Sequence, residues 1–77
     1  MLGFEPKKWR EGESPSELEI HMDEEGLNSL LAHLQFLKAG KTEHVNLMSE
    51  AWGGNHLNNS PRTKGTASMH HVKIQLA

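Results

Sequence analysis

The run Glu17-Leu-Glu-Ile-His-Met-Asp-Glu-Glu-Gly-Leu-Asn-Ser-Leu-Leu-Ala-His-Leu-Gln-Phe-Leu-Lys-Ala-Gly40 changes period partway along. As far as Met22 it alternates. Leu18, Ile20 and Met22 take one side and Glu17, Glu19 and His21 the other, the pattern of a half-buried strand. Further on, Leu27, Leu30, Leu31, Leu34 and Leu37 recur at helical spacing and define one apolar stripe. Asp23 stands at the joint as an N-cap, and Glu24 and Glu25 suit the positive end of the helix dipole. Lys38 falls in the last turn and Gly40 suits the position just beyond it. The spacing predicts a helix over 24–39, its first turn slightly weakened by Gly26. Phe36 lies off the stripe, beside Ser29, Ala32 and Ala39. It either meets a second chain or tucks under the N-terminal segment against Phe4 or Trp9.

Working outward, residues 44–49 alternate again, with Val45 and Leu47 on one face and His44, Asn46 and Met48 on the other. A long irregular connection over 50–65 follows. Residues 68–76 form the last predicted strand, with Val72, Ile74 and Leu76 on one face and Met69, His71, Lys73 and Gln75 on the other. Upstream, Leu2 and Phe4 alternate, and Pro6 confines any strand there to a sheet edge. Residues 11–16 read as a turn or linker. The predicted architecture is α+β, in the order β-α-β-β. A small three- to four-stranded mixed or antiparallel sheet carries one amphipathic helix on one face. Residues 1–16 are an N-terminal arm or edge strand and 17–77 a single domain. The leucine stripe should cover Leu18, Ile20, Val45, Leu47, Val72 and Ile74. A right-handed crossover should set the strands at Glu17 and His44 parallel, with the last strand antiparallel between them.

Composition narrows the function classes. A chain of 77 residues that is only 35% hydrophobic buries little apolar surface, so self-association that adds burial is expected. With no cysteine, disulfides and thiolate zinc sites are excluded. No secretory leader and no run of about 20 apolar residues is present, which predicts a soluble cytoplasmic protein. Charge is unevenly placed. Residues 1–26 hold eight acids against Lys7, Lys8 and Arg10, while residues 27–77 hold five basic residues against Glu43 and Glu50. Such an acidic flank repels nucleic acid and attracts basic surfaces.

Six histidines invite a metal reading. His21, His44 and His71 fall on the polar faces of their strands, where neighbouring imidazoles could converge. The spacings match no ligand motif, so neither a metal site nor a cofactor is expected. His70, adjacent to His71, points to the opposite face. Catalytic signatures are missing too. Ser49-Glu50 lacks a G-x-S-x-G context, Gly53-Gly54 lacks the rest of a phosphate loop, and the basic residues are too scattered for a nucleic-acid groove. The chain reads as a non-enzyme. Trp52, directly after a strand, either closes the end of a small core or anchors a partner. Gly53 and Gly54 let the backbone turn beside it, and Glu50 and Asn55 are placed to hold the loop.

As a set, ELEIHMDEEGL (17–27), HVNLM (44–48), EAWGGNHL (50–57) and HHVKI (70–74) resemble the immunity protein 32 family of bacterial polymorphic-toxin systems. The resemblance spans residues 16–76. It implies a non-enzymatic antidote that binds and neutralises a cognate toxin domain in the cytoplasm. Two surfaces are candidates for that contact: the acidic flank with Glu17, Glu19 and Glu24, and the polar sheet face of His21, His44, Asn46, His71 and Lys73. The loop adds Glu50, Asn55 and His56, with Trp52, Gly53 and Gly54 as its structural part. The alternative is a small structural or regulatory module that forms a homodimer through Phe36 or an edge strand.

Overall fold

Asp23 is the joint between strand and helix that its position predicts. Its carboxylate holds the amino group of Met1 and accepts the Gly26 amide at 2.8 Å. These two partners keep its pKa below the usual carboxylate range. The computed structural model describes residues 1–14 and 16–77. In it β1 (Leu2–Pro6) and β2 (Leu18–Met22) precede helix α1 (Glu24–Lys38), and β3 (His44–Met48) and β4 (His71–Gln75) follow it, with a 3-10 turn over Glu50–Trp52. The class is α+β. At the far end of α1 the Lys41 amide reaches Phe36 O at 3.2 Å and the Gly40 amide reaches Leu37 O at 3.1 Å. This is the paired closure of a Schellman motif. No helix among the described residues is long and apolar enough to cross a membrane.

The strands form two antiparallel pairs, β1 with β2 and β3 with β4. In the first, Leu2 faces Met22 and Phe4 faces Ile20. In the second, Val45 faces Ile74 and Leu47 faces Val72. One run of chain ties the pairs together. Ala67 N–H donates to Pro6 O at 3.1 Å, Met69 N–H to Phe4 O at 3.0 Å, and Ser49 N–H to His70 O at 3.0 Å. The lead-in to β4 therefore lies along β1, and β4 itself lies along β3. Pro6 has no N–H to return to Ala67, so that pair is held by a single backbone bond.

Three expectations change here. The strands at Glu17 and His44 are not parallel neighbours, since β2 and β3 belong to different pairs. A βαβ crossover needs a shared sheet, and here β3 pairs with β4, whose lead-in lies along β1 on the side away from β2. For the same reason β1 is no edge strand: β2 bonds one side of it and residues 65–69 the other. It is also the most buried strand, with Leu2 and Phe4 joining Leu47 and Leu57 in the core.

The third change concerns the leucine stripe. Helix α1 buries Gly26 and Leu37 and packs Leu30 on the core, while Leu27, Leu31 and Leu34 are exposed. The contact line is turned from the stripe because Gly26 receives the backbone of β1. A Cβ on Gly26 would overlap the Met1 carbonyl. Leu18 and Ile20 consequently stay uncovered, at 53% and 47% exposed. Phe36 also faces outward, with Lys41 Nζ 5.8 Å from its ring centre, and does not tuck under the N-terminal segment.

Candidate partner-binding surface

Ser49 organises the loop after β3. It is fully buried, and its carbonyl accepts the amides of Trp52 at 3.0 Å and Gly54 at 2.9 Å. Its Oγ is hydrogen-bonded to His70 Nδ1 at 2.7 Å. Gly53 takes φ 86°, a left-handed conformation that costs other residues about 1 kcal/mol or more. At Gly54 a Cβ would lie 2.5 Å from both the Cβ and the carbonyl oxygen of Met48, so only glycine fits. Ala51 N–H donates to Asn59 Oδ1 at 3.1 Å. Asn59 and Ser49 thus do the bracing expected of Glu50 and Asn55, both of which are exposed.

The outcome corrects the reading of Trp52 as a core lid. Its ring is 61% exposed. It stacks on His70 with ring centres 6.3 Å apart and planes 4° from parallel, and lies 6.5 Å from His71. The apolar place beside the core goes instead to Leu57, 6% exposed, because the chain returns after Gly54 with the amides of His56 and Leu57 on Met48 O.

From Trp52 a surface continues over β4 and β3. His71 Nε2 is hydrogen-bonded to Asn46 Oδ1 at 3.0 Å, and Asn46 faces Lys73 across the ladder. His71 and Lys73 also line an open groove of about 530 Å³ whose other walls include Phe4, Pro6, Leu18, Met69 and Val72. The expected polar face is brought together in part: Asn46, His71 and Lys73 adjoin, and His44 lies further along β3, opposite Gln75. His21 belongs to the other pair of strands. The imidazoles do not converge, and among the described residues no group of three or more His, Asp or Glu is arranged to hold a metal ion. His56 sits apart against the helix, its ring 5.1 Å from that of His33 and nearly perpendicular to it. Asn55 and His56 line a small polar recess with Glu25 and Ser29.

The acidic flank is divided. Glu17 and Glu24 are exposed, whereas Glu19 accepts bonds from Thr63 Oγ1 at 2.7 Å and from His21 Nε2 at 2.9 Å. Beneath them lies Glu5, fully buried, a residue the sequence reading passed over. Its Oε1 accepts the amides of Arg62 and Thr63 and the hydroxyl of Thr66, each at 2.9 Å, and lies 3.9 Å from His21 Nε2. Burial alone would raise its pKa. The Thr63 and Arg62 amides, the Thr66 hydroxyl and the nearby imidazole outweigh burial and bring the carboxyl below its usual range. Glu5 is an anchor for the 58–66 loop. Alternation gave no signal for it, since it places Glu5 on the face away from Leu2 and Phe4; the 62–66 loop is what covers that face.

Comparison of the chain with protein-family models, with curated proteins and with solved structures finds no match in any of the three.

Proposed function

We propose that the chain is a non-enzymatic immunity protein that docks onto a cognate bacterial toxin domain through the surface centred on Trp52. The observation that carries this is the exposed Trp52 ring, presented by a braced loop and stacked on His70. A large aromatic held in one orientation loses little entropy on binding, and tryptophan is the residue type most enriched at the energetic centre of protein interfaces. His71, Asn46 and Lys73 supply polar contacts around it, and the adjoining groove offers apolar walls for a partner side chain. The toxin itself comes from the resemblance of the HVNLM, EAWGGNHL and HHVKI segments to immunity protein 32. The exposed acids Glu17 and Glu24 favour approach to a basic toxin surface and act on the rate of association more than on its strength.

The test is to look for a toxin domain encoded by the adjacent gene and to co-express it with this chain. The wild type should restore growth and co-purify with the toxin. Trp52→Ala should weaken binding by about 2 kcal/mol, roughly thirtyfold, with thermal stability nearly unchanged. Binding that is indifferent to Trp52, or no rescue by the wild type, overturns the reading.

A further inference from the structure

The two outer strand edges of the molecule are treated differently. On β3 the polar backbone groups that point away from β4 belong to His44, Asn46 and Met48, since the ladder bonds run through the alternate residues. Half of these six groups are engaged, at the two ends of the strand. Met48 N–H donates to His56 Nδ1 at 3.4 Å, Met48 O accepts the amides of His56 and Leu57, and His44 O accepts Thr42 Oγ1 at 2.8 Å. On β2 the bonds Lys7 N–H to Glu17 O and Asp23 N–H to Met1 O bracket the ladder with β1. The odd residues therefore face β1, and Leu18, Ile20 and Met22 point their N–H and C=O groups outward. Among the described residues none of these groups has a partner. No proline, lysine or bulge interrupts the strand. An unpaired edge of this kind is a template for another strand.

We propose that β2 pairs antiparallel with β2 of a second copy of this chain, about a twofold axis at Ile20. The strand is complementary to itself in that register. Leu18 falls opposite the partner's Met22 and Ile20 opposite its own counterpart, so the apolar face of one sheet runs into the other. Both Leu18 and Ile20 are about half exposed in the single chain. On the other face Glu19 falls opposite the imidazole of the second copy's His21, an attractive cross-strand pair. Within one chain that pair uses Glu19 Oε1 and His21 Nε2, which leaves Glu19 Oε2 and His21 Nδ1 for the crossing contact. At the ends Glu17 meets the second copy's Asp23, whose carboxylate is already engaged by Met1 and Gly26. Even-numbered residues meet even-numbered residues throughout, as the outward bonding groups require. The pairing leaves Trp52, in the turn after β3, out of the contact but shares Leu18 with the groove; its test reads chain mass and not toxin binding, so the two readings fail separately.

The experiment is light scattering on the full chain over a range of concentrations. The wild type should shift from one-chain to two-chain mass as concentration rises, and Ile20→Lys should hold the one-chain mass throughout. A wild type that stays single at its highest concentration overturns the proposal. So does a two-chain mass that survives Ile20→Lys but is lost in Phe36→Glu. A second arm does not depend on Ile20→Lys folding. The chain has no cysteine, so an Ile20→Cys variant carries a single thiol on the twofold axis. A short bismaleimide should convert it to covalent dimer far faster than it converts Asn46→Cys on the β3 edge. Equal rates for the two variants overturn the proposal.

Discussion

Edge strands β2 and β3 are both five residues long and both alternate apolar with polar, yet one edge is engaged at both its ends and the other is open along its whole length. At β3 a loop from the same chain folds back and spends its amides on Met48. Among the described residues nothing returns to β2. The difference teaches that a short strand does not carry its own edge protection. Protection is supplied by distant chain, here the 50–66 connection, whose far end is anchored on Glu5. A long irregular segment that reads as mere linkage engages the Met48 end of the β3 edge and shortens the stretch open to another strand.

That contrast can be broken most severely at its anchor. Glu5→Ala leaves the amides of Arg62 and Thr63 and the Thr66 hydroxyl without their acceptor, and should cost about 4 kcal/mol in a denaturant titration. It should also release the loop from Met48, so that β3 becomes as open as β2 and aggregation rises with concentration. Glu5→Gln retains an acceptor oxygen but not the charge, and its effect is best seen against pH. The folded carboxyl binds its proton less readily than the unfolded one. The wild-type contribution is therefore whole above the ordinary value of 4.5 and is lost as the pH falls through the lower folded value. Melting temperatures measured from neutral pH downward should drop more steeply for the wild type than for Glu5→Gln.

A smaller break lies at the plug itself. Gly54→Ala drives a methyl group into Met48 and should cost about 2 kcal/mol, with faster hydrogen exchange at the amides of Met48, His56 and Leu57. His56→Ala removes the acceptor for Met48 N–H and should cost about 1 kcal/mol, read by thermal melting. The mildest variant sharpens the comparison rather than breaking it. Ile20→Lys alters an exposed position, should change stability by no more than about 0.5 kcal/mol, and should close the β2 edge to a second chain.

How much of this was legible in the residues varies with the range of the interactions involved. Helix α1, its Asp23 cap and its closure at Gly40 were readable, as were β2, β3 and the core-facing Val72 and Ile74. Each is set by neighbours within a few residues, where period and capping chemistry act directly. In the candidate surface, the alternation placed Asn46, His71 and Lys73 on one face, and the Trp-Gly-Gly run pointed to a special turn. What the turn does with Trp52 was not readable. A tryptophan after a strand serves a core or a surface equally well, and the choice was made when Leu57 took the apolar place beside Leu47.

By itself, then, the chain's order of residues determined the α+β class, one capped helix, the alternation of the strands and the absence of thiol chemistry. Only the tertiary structure decided that residues 2–6 would be the innermost strand, that Glu5 would be a buried anchor, that the helix would turn Leu27, Leu31 and Leu34 outward, and that β2 would be left with an open edge. Local period records which side chains share a face. Which face is then covered depends on contacts between segments up to about sixty residues apart, such as Glu5 with Thr66. Those are settled by competition for a small apolar area that the linear pattern does not rank.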